Sequence, residues 1–194
     1  TPRPRGCIVN RNVRLARPGV GQLRQRLEEV LRVDHAGEMA AVQIYRGQKD
    51  VFRAAGRANM ADDMARMEGE EQVHLDRFNA LLTEHSTRPT LMTPIWRIAA
   101  YGLGVGTALL GEKAAHACTE AVETVISEHY ADQAEEWEGR DPALAEQFRD
   151  YREDELRHHD HAVDQGAHEA PGYELLTGLI KAGCRVAIKV SEKV

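Results

Sequence analysis

The sequence contains an internal repeat with an offset of about 85 residues, and this repeat restricts the possible folds more than any other feature. Its first part is a Glu with a Tyr seven residues later and a Gln ten residues later, found as Glu38, Tyr45 and Gln48 and again as Glu123, Tyr130 and Gln133. Its second part is a Glu with a His three residues later and an Asp five residues later, found as Glu71, His74 and Asp76 and again as Glu155, His158 and Asp160. Two copies of one supersecondary unit are therefore predicted.

Each unit is predicted to be a hairpin of two helices. The chain is rich in Ala, Glu, Arg, Leu and Gln at helical spacing and lacks sustained period-two alternation, so the predicted fold class is all-α. We predict helices at about 22–54, 59–85, 95–109, 112–138, 142–168 and 172–190. Asn59 is the predicted cap of the second helix and Asp141 that of the fifth.

The positions of the turns place the repeated Glu residues at one height. The midpoint between residues 38 and 71 falls at Ala55 and Gly56, and the midpoint between residues 123 and 155 falls at Gly139. In antiparallel helices, side chains equally far from the turn lie at the same level because both helices rise about 1.5 Å per residue. Two packed hairpins would therefore bring four carboxylates and two imidazoles together.

These six side chains form a predicted metal site. In each Glu-x-x-His pair the two side chains share a helix face and can converge on one ion. Ferritin-like di-iron and di-manganese bundles use this ligand pattern: one Glu from each of two helices and a Glu-x-x-His pair from each of the other two. Without cations, the buried carboxylates would repel one another. The predicted ligands are Glu38, Glu71, His74, Glu123, Glu155 and His158, and their oxygen and nitrogen donors favour iron or manganese over zinc or copper(I).

Residues beside the predicted ligands receive other interpretations. Glu70 and Asp154 each directly precede a predicted ligand Glu, and we expect them to be solvated or to pair one hairpin with the other rather than to bind metal. His159 and His161 point away from the ligand face of their helix and are expected at the surface. Asp34 either orients a ligand histidine or is an acid favoured near a helix start.

Two residues of the second unit are candidates for a relay. His129 and Tyr130 lie about two turns after Glu123 and could carry protons or electrons. Core packing is the alternative for Tyr130 and for its repeat partner Tyr45.

Charge and cysteine placement exclude several classes of protein. Residues 28–194 carry 18 basic and 31 acidic side chains, so the body lacks the basic face that nucleic acid requires. The glycine run at 102–106 follows no predicted strand, which excludes a dinucleotide-binding fold. The three cysteines form no C-x-x-C pair and predict neither a disulfide framework nor a cysteine zinc site.

The chain divides into an arm at residues 1–23 and one domain at residues 24–194. Residues 1–27 hold seven arginines and no acid, a bias that fits a remnant of a mitochondrial transit peptide or a solvated disordered arm.

Two predicted helices outside the repeat carry apolar surface. Residues 91–111 contain only Arg97 as a charge but are interrupted by glycines and Pro94, which makes them marginal as a membrane span. The C-terminal helix has a basic stripe of Lys181, Arg185 and Lys189 beside an apolar face formed by Leu175, Leu176, Leu179, Ile180, Val186, Ala187 and Val190. This pattern is typical of an interfacial helix. We predict that both helices associate with a membrane, the alternative being that they cover the bundle core.

Several stretches of the domain match a known family in order. They are Arg-Val-Asp-His-Ala-Gly-Glu at 32–38, Glu-Gln-Val-His-Leu at 71–75, Arg-Pro-Thr at 88–90, Gly-Thr-Ala-Leu-Leu-Gly at 106–111, Asp-Glu-Leu-Arg-His-His-Asp at 154–160 and Ala-Gly-Cys-Arg-Val-Ala-Ile at 182–188. In these stretches the chain resembles the 5-demethoxyubiquinone hydroxylase family. It departs from the family at Met39 and Ala40, where Tyr-Gly is expected, and at Glu128, where a second His is common.

The resemblance implies a function for residues 24–194. It implies a di-iron monooxygenase, with the six residues above as iron ligands, that hydroxylates the ring of a polyprenylated demethoxyquinol in ubiquinone biosynthesis. O2 would be the co-substrate and NADH the reductant. A lipid-binding partner protein of the ubiquinone-biosynthesis complex is also implied. The expected location is the matrix side of the mitochondrial inner membrane, peripherally bound, or the cytoplasmic face of a bacterial inner membrane.

Other functions are compatible with similar ligands. An iron-storage protein would not need the apolar edge, and a rubrerythrin-like peroxidase would need a cysteine-ligated iron. Two alternatives stay open: a membrane-bound di-iron quinol oxidase, which reduces O2 to water without hydroxylating the ring, and a non-catalytic lipid-presenting scaffold with a structural metal.

Overall fold

A computed structural model describes residues 20–194, and this part of the chain is all-helical, as predicted. The helices are α1 (Val20–Ala54), α2 (Ala58–Glu84), α3 (Thr93–Leu109), α4 (Glu112–Trp137), α5 (Pro142–Asp164) and α6 (Tyr173–Lys193), with a 3-10 turn at Ala167–Glu169. The six predicted helices are present in the predicted order. All but the last four residues of the predicted arm at 1–23 lie outside the described residues.

Local chemistry explains both ends of α5. Asp141 accepts a hydrogen bond from the Leu144 amide at 3.1 Å and caps α5, as predicted. The predicted cap at Asn59 is wrong, because α2 begins at Ala58 and the Arg57 carbonyl already accepts from the Ala61 amide. α5 ends at Asp164 rather than near residue 168, because Gly166 adopts a left-handed φ of 87° that ends the helix.

The two hairpins, α1 with α2 and α4 with α5, pack against each other through two apolar clusters. One cluster includes Leu31 and Phe78 of the first hairpin and Tyr130 and Phe148 of the second. The other joins Tyr45, Phe52, Met64 and Met67 of the first hairpin to Ala115 of α4. Each fully buried large side chain contributes roughly 1.5–3 kcal/mol. The level of the repeated Glu residues lies between the two clusters, so apolar packing holds the hairpins together on both sides of it.

Helices α3 and α6 cover the side of the molecule where α1 meets α4. Between these four helices lies a cavity of about 490 Å³ lined almost entirely by apolar residues. Several large apolar side chains of the two covering helices and their flanks remain exposed, namely Leu91, Ile95, Ile98, Leu109, Leu110, Leu175, Leu179 and Val186. No helix within residues 20–194 is both long and apolar enough to cross a membrane.

Glycine allows α3 to approach α1 closely. A Cβ placed on Gly104 would overlap the backbone carbonyl of Ile44, whereas a Cβ on Gly102, in the same helix, would meet nothing within 4 Å. Backbone atoms cannot move aside as a flexible side chain can, so the contact requires glycine at position 104.

We expect Gly104→Ala and Gly102→Ala to change stability in opposite directions. Gly104→Ala forces α3 away from α1 and should lower the free energy of unfolding by about 1–3 kcal/mol. Gly102→Ala fills open space in a helix and should raise it by up to about 1 kcal/mol. Denaturant titration followed by circular dichroism measures both, and equal effects of the two substitutions would contradict the close approach.

Candidate metal centre

All six predicted ligands meet in the interior. They form two sets, Glu38, Glu71, His74 and Glu155, and Glu71, Glu123, Glu155 and His158, and in each set one ligand-type atom from every residue lies within 4.8 Å of the others. Every residue of both sets is buried. Glu71 and Glu155 belong to both sets, so the two groups adjoin and share two carboxylates.

The four helices of the hairpins each contribute to this cluster. α1 supplies Glu38, α4 supplies Glu123, and α2 and α5 supply the Glu-x-x-His pairs. Both histidines direct Nδ1 inward: Nδ1 of His74 lies 3.5 Å from Glu38 and 3.5 Å from Glu155, and Nδ1 of His158 lies 2.8 Å from Glu71.

Many of the inward atoms lack a hydrogen-bond partner among the described residues. They are both carboxylate oxygens of Glu71 and of Glu155, Oε2 of Glu123, and Nδ1 of both histidines. The short approach of His158 to Glu71 is not aligned as a hydrogen bond. Burying such groups unpaired costs several kcal/mol, and converging lone pairs of carboxylate and imidazole fit cations of the iron or manganese class.

Burial and the repulsion among the carboxylates change the pKa values of the clustered side chains. Burial, with added repulsion from Glu155, raises the pKa of Glu38, Glu71 and Glu123. Burial opposes the protonation of His74, but the nearby carboxylates of Glu155 and Glu38 outweigh it and raise its pKa to about 11. The same balance raises the pKa of His158 to about 9. For Glu155 the two histidines outweigh burial and lower the pKa to about 2.

Two further carboxylates hold the outer nitrogens of the histidines. Nε2 of His158 lies 2.6 Å from Glu70, and Nε2 of His74 lies 3.0 Å from Asp154. Each contact crosses from one hairpin to the other. A carboxylate that accepts from Nε2–H keeps Nδ1 free to bind a cation.

The alternative in which Asp34 orients a ligand histidine is wrong. Asp34 accepts from Gln133 at 2.8 Å and lies 3.4 Å from Nε2 of His129. The orienting positions are those of Glu70 and Asp154, which the sequence interpretation left as solvated or pairing acids. The available signal was that an acid precedes the ligand Glu in both copies of the repeat.

The repeated tyrosines do more than fill the core. Tyr45 donates to Glu123 and Tyr130 donates to Glu38, so each hairpin supplies a phenol to the carboxylate of the other. Burial and the nearby carboxylates raise the pKa of both phenols, which therefore stay protonated as donors. His159 and His161 contact Asp160 and Asp63 respectively, away from the cluster, in line with their expected placement.

Stability of the metal-free protein should fall as pH rises. The folded cluster keeps protons that the unfolded chain releases above about 4.5 for the three carboxyls with raised pKa and above about 6.5 for the two histidines. The folded state then binds more protons than the unfolded state, so the free energy of unfolding decreases with rising pH. Glu155 acts in the opposite sense only between about pH 2 and 4.5.

Cations must displace these protons, so their effect should grow with pH. We expect the difference in melting temperature between Mn²⁺-loaded and metal-free protein to widen from pH 6 to pH 8, because Mn²⁺ binds only the deprotonated ligands. Differential scanning calorimetry with Mn²⁺ or a chelator measures it. A melting temperature of the metal-free protein that rises over this interval, or that Mn²⁺ leaves unchanged, would contradict the assignment.

Comparison with known proteins agrees with the resemblance noted in the sequence. The family model described as ubiquinone biosynthesis protein COQ7 matches residues 25–191. A 3-demethoxyubiquinol 3-hydroxylase of Rhodospirillum rubrum is 44% identical over 168 residues, covering 87% of this chain and 78% of the relative.

Two mitochondrial relatives are similar over comparable lengths. The human NADPH-dependent 3-demethoxyubiquinone 3-hydroxylase is 41% identical over 174 residues, covering 88% of this chain and 79% of the relative. The 5-demethoxyubiquinone hydroxylase of Saccharomyces cerevisiae is 38% identical over 183 residues, covering 87% and 78%. The chain therefore belongs to the family of the ubiquinone biosynthesis protein COQ7, whose relatives named here are hydroxylating enzymes.

Proposed function

We propose that residues 24–194 form a ferritin-like di-iron monooxygenase that hydroxylates the ring of a polyprenylated demethoxyquinol in ubiquinone biosynthesis. The observation that carries the proposal is the buried cluster of four carboxylates and two imidazoles near an apolar cavity. The names of the relatives support the reaction class and the type of ring.

The residues of the two sets suit two adjacent ions. Glu38 and His74 would hold one ion and Glu123 and His158 the other, and Glu71 and Glu155, which belong to both sets, would be available to either ion. Two bound irons would supply the redox chemistry that activates O2. Four carboxylates offset the charge of two divalent ions, which accounts for so many buried acids in one place.

The protein's own side chains prepare this site. Tyr45 and Tyr130 hold Glu123 and Glu38 in fixed orientations. Glu70 and Asp154 hold the two imidazoles from outside. The apolar clusters above and below exclude water, so electrostatic interactions within the site are strong.

The cavity suits an apolar aromatic substrate. Its lining includes Ala40, Ile44, Leu103 and Ile180 and contains no charged side chain. Gly37 and Val122, which also line it, directly precede Glu38 and Glu123 in the sequence. A quinol ring with the start of a polyprenyl tail would suit such a lining, and a ring bound beside α1 and α4 would lie near the proposed ions.

The exposed edge of α3 and α6 supports peripheral association with a membrane. Exposed apolar side chains on both helices adjoin the basic residues of α6, of which Lys181 contacts Glu120 and Arg185 contacts Glu128. A patch of this kind is typical of a lipid-facing or partner-facing surface. The proposed location is the matrix side of the mitochondrial inner membrane, and for a bacterial chain the cytoplasmic face of the inner membrane. A lipid-binding partner protein would use the same edge.

Electrons are proposed to come from a nicotinamide. NADH is the expectation from the family resemblance, whereas the human relative is named NADPH-dependent. The all-helical part of the chain offers no strand-turn-helix nucleotide site within residues 20–194. The reductant therefore either binds at another kind of surface or acts through a separate reductase, and comparing NADH with NADPH decides the donor.

We expect Glu123→Gln to lower the iron content and to reduce hydroxylation by at least about 100-fold, because it removes a ligand that belongs to one of the two sets. Glu128→Gln, an exposed carboxylate five residues away on the same helix, is the matched control and should keep both. Iron per chain and labelled product, measured on the same samples, test the assignment. Full iron and full turnover in Glu123→Gln would contradict it.

Labelled oxygen separates the proposed function from its rivals. With ¹⁸O₂ and a reduced demethoxyquinol, a monooxygenase places one ¹⁸O atom in the ring and one in water. A quinol oxidase would place label in water alone, and a lipid-presenting scaffold would consume no oxygen. Mass spectrometry of the quinone product therefore distinguishes all three.

The membrane edge is testable with exposed residues only. The sequence places both Leu179 and Ile180 on the apolar face of α6, but Ile180 is only 7% exposed and packs in the core. An acid at position 180 would therefore disrupt packing. Leu175→Glu with Val186→Glu alters residues 70% and 59% exposed that do not line the cavity. Vesicle flotation should show binding weakened at least about tenfold, because two apolar contacts are lost.

The control for this double variant is Val73→Glu, on α2, which is 67% exposed. It should bind vesicles as the unaltered protein does. The double variant should still hydroxylate a short-tailed soluble analogue. Unchanged vesicle binding by the double variant would reject the proposed edge.

A further inference from the structure

The two ends of the contact between α1 and α4 differ, although the repeat relates them. Asp34 and His129 occupy one end, and their counterparts at an offset of 85 residues are Thr119 and Ile44 at the other. Ile44 lines the apolar cavity and packs in the core. One end is therefore built without a charge, which means that packing of α1 on α4 does not by itself require one.

Asp34 and His129 are in contact beneath the surface. The Asp34 side chain is 0% exposed, and its Oδ1 accepts from Gln133 at 2.8 Å and lies 3.4 Å from Nε2 of His129. The same Gln133 amide nitrogen lies 2.9 Å from Nε2 of His129, so it contacts both members of the pair. Its Oδ2 has no hydrogen-bond partner within residues 20–194. A fully buried carboxylate with a free oxygen is expensive, so its retention needs a reason beyond packing.

The pair spans the distance between solvent and the metal centre. The His129 side chain is 19% exposed, while the next residue, Tyr130, donates to Glu38. Asp34 precedes Glu38 by one helical turn, about 6 Å along the axis of α1. One bridging water covers such a step. Ile44, the repeat counterpart of His129, has no group that could accept or donate a proton.

We propose that Asp34 and His129 form a proton-transfer pair that supplies protons from solvent to the Glu38 and Tyr130 edge of the metal centre. The inference rests on the proposed function. Hydroxylation consumes protons: a ring C–H, O2, two electrons and two protons give a ring C–OH and one water. With a reduced nicotinamide as the two-electron donor, oxidation of the donor releases one proton, and one net proton per turnover comes from solvent.

The charged groups around the pair are consistent with this role. Burial raises the pKa of Asp34 although His129 and Gln133 oppose it, and contact with Asp34 raises the pKa of His129 although burial lowers it. Arg26 from α1 and Glu192 from α6 also face the imidazole, with opposite effects on its pKa. The Asp34 charge also contributes to the raised pKa of Tyr130 on α4.

Two variants and a repeat-matched control test the pair in the iron-loaded full chain. Asp34→Asn keeps the size of the side chain, and His129→Gln keeps a polar group, but the amide introduced by either substitution does not transfer protons. Each should lower kcat by roughly 100-fold or more and leave KM and iron content unchanged. Thr119→Val, the counterpart of Asp34 at the other end, should keep kcat. The substrate is a short-tailed demethoxyquinol analogue with O2 and NADH or NADPH.

Rescue separates proton transfer from structure. Added imidazole should restore part of the kcat of His129→Gln, because a small proton carrier can replace a partly exposed imidazole. The pH profile of kcat in Asp34→Asn should lose the inflection due to the pair. Wild-type kcat in either variant, loss of iron in both, or failure of imidazole to restore any activity would overturn the proposal.

A measurement on the metal-free protein tests the pair without turnover. In an NMR titration of ¹⁵N-histidine-labelled protein, the pKa of His129 should lie above the ordinary 6.5 in wild type and fall in Asp34→Asn. An unchanged pKa would overturn the pair. If the wild-type protein does not hydroxylate the analogue, the proposed function fails, while the titration still decides whether Asp34 and His129 share a proton.

Discussion

Four carboxylates at one level of a helical interior repel one another, and the structure around them is organised to contain that repulsion. Each has a hydrogen-bond donor or an imidazole nearby: Tyr45 and Tyr130 donate to two of them, and the inward imidazoles approach the other two. The hairpin turns must lie equally far from each Glu pair, because otherwise the side chains would not meet. Apolar clusters on both sides then hold the hairpins against the repulsion.

Because of the repeat, each kind of contact at the site occurs twice. Tyr45 reaches Glu123 while Tyr130 reaches Glu38, and Glu70 reaches His158 while Asp154 reaches His74. Every one of these contacts joins one hairpin to the other. The polar site is therefore also part of the interface between the hairpins, so assembly of the hairpins and formation of the site are the same event.

The sequence predicts what depends on spacing within a helix or on the place of a turn. The six clustered residues, the helix order and the Asp141 cap follow from such local rules. Contacts across hairpins depend on how each helix is rotated, which spacing does not fix. Spacing alone therefore suggests Asp34 as the residue that orients a histidine, whereas Glu70 and Asp154 are the acids that contact the histidines. For the same reason it groups Ile180, which is buried, with the exposed apolar residues.

The two halves of the repeat are unequal around the buried cluster. Here α3 and α6 cover one side. Of the residues that depart from the family pattern, Met39 is buried, Ala40 lines the cavity, and Glu128 is exposed and paired with Arg185. The larger inequality is between Ile44 and His129, which the repeat makes equivalent. The first adds to an apolar wall, and the second brings a titratable group and a buried carboxylate to the opposite end. Under the proposed function, substrate and protons would therefore reach a nearly symmetric centre by different routes.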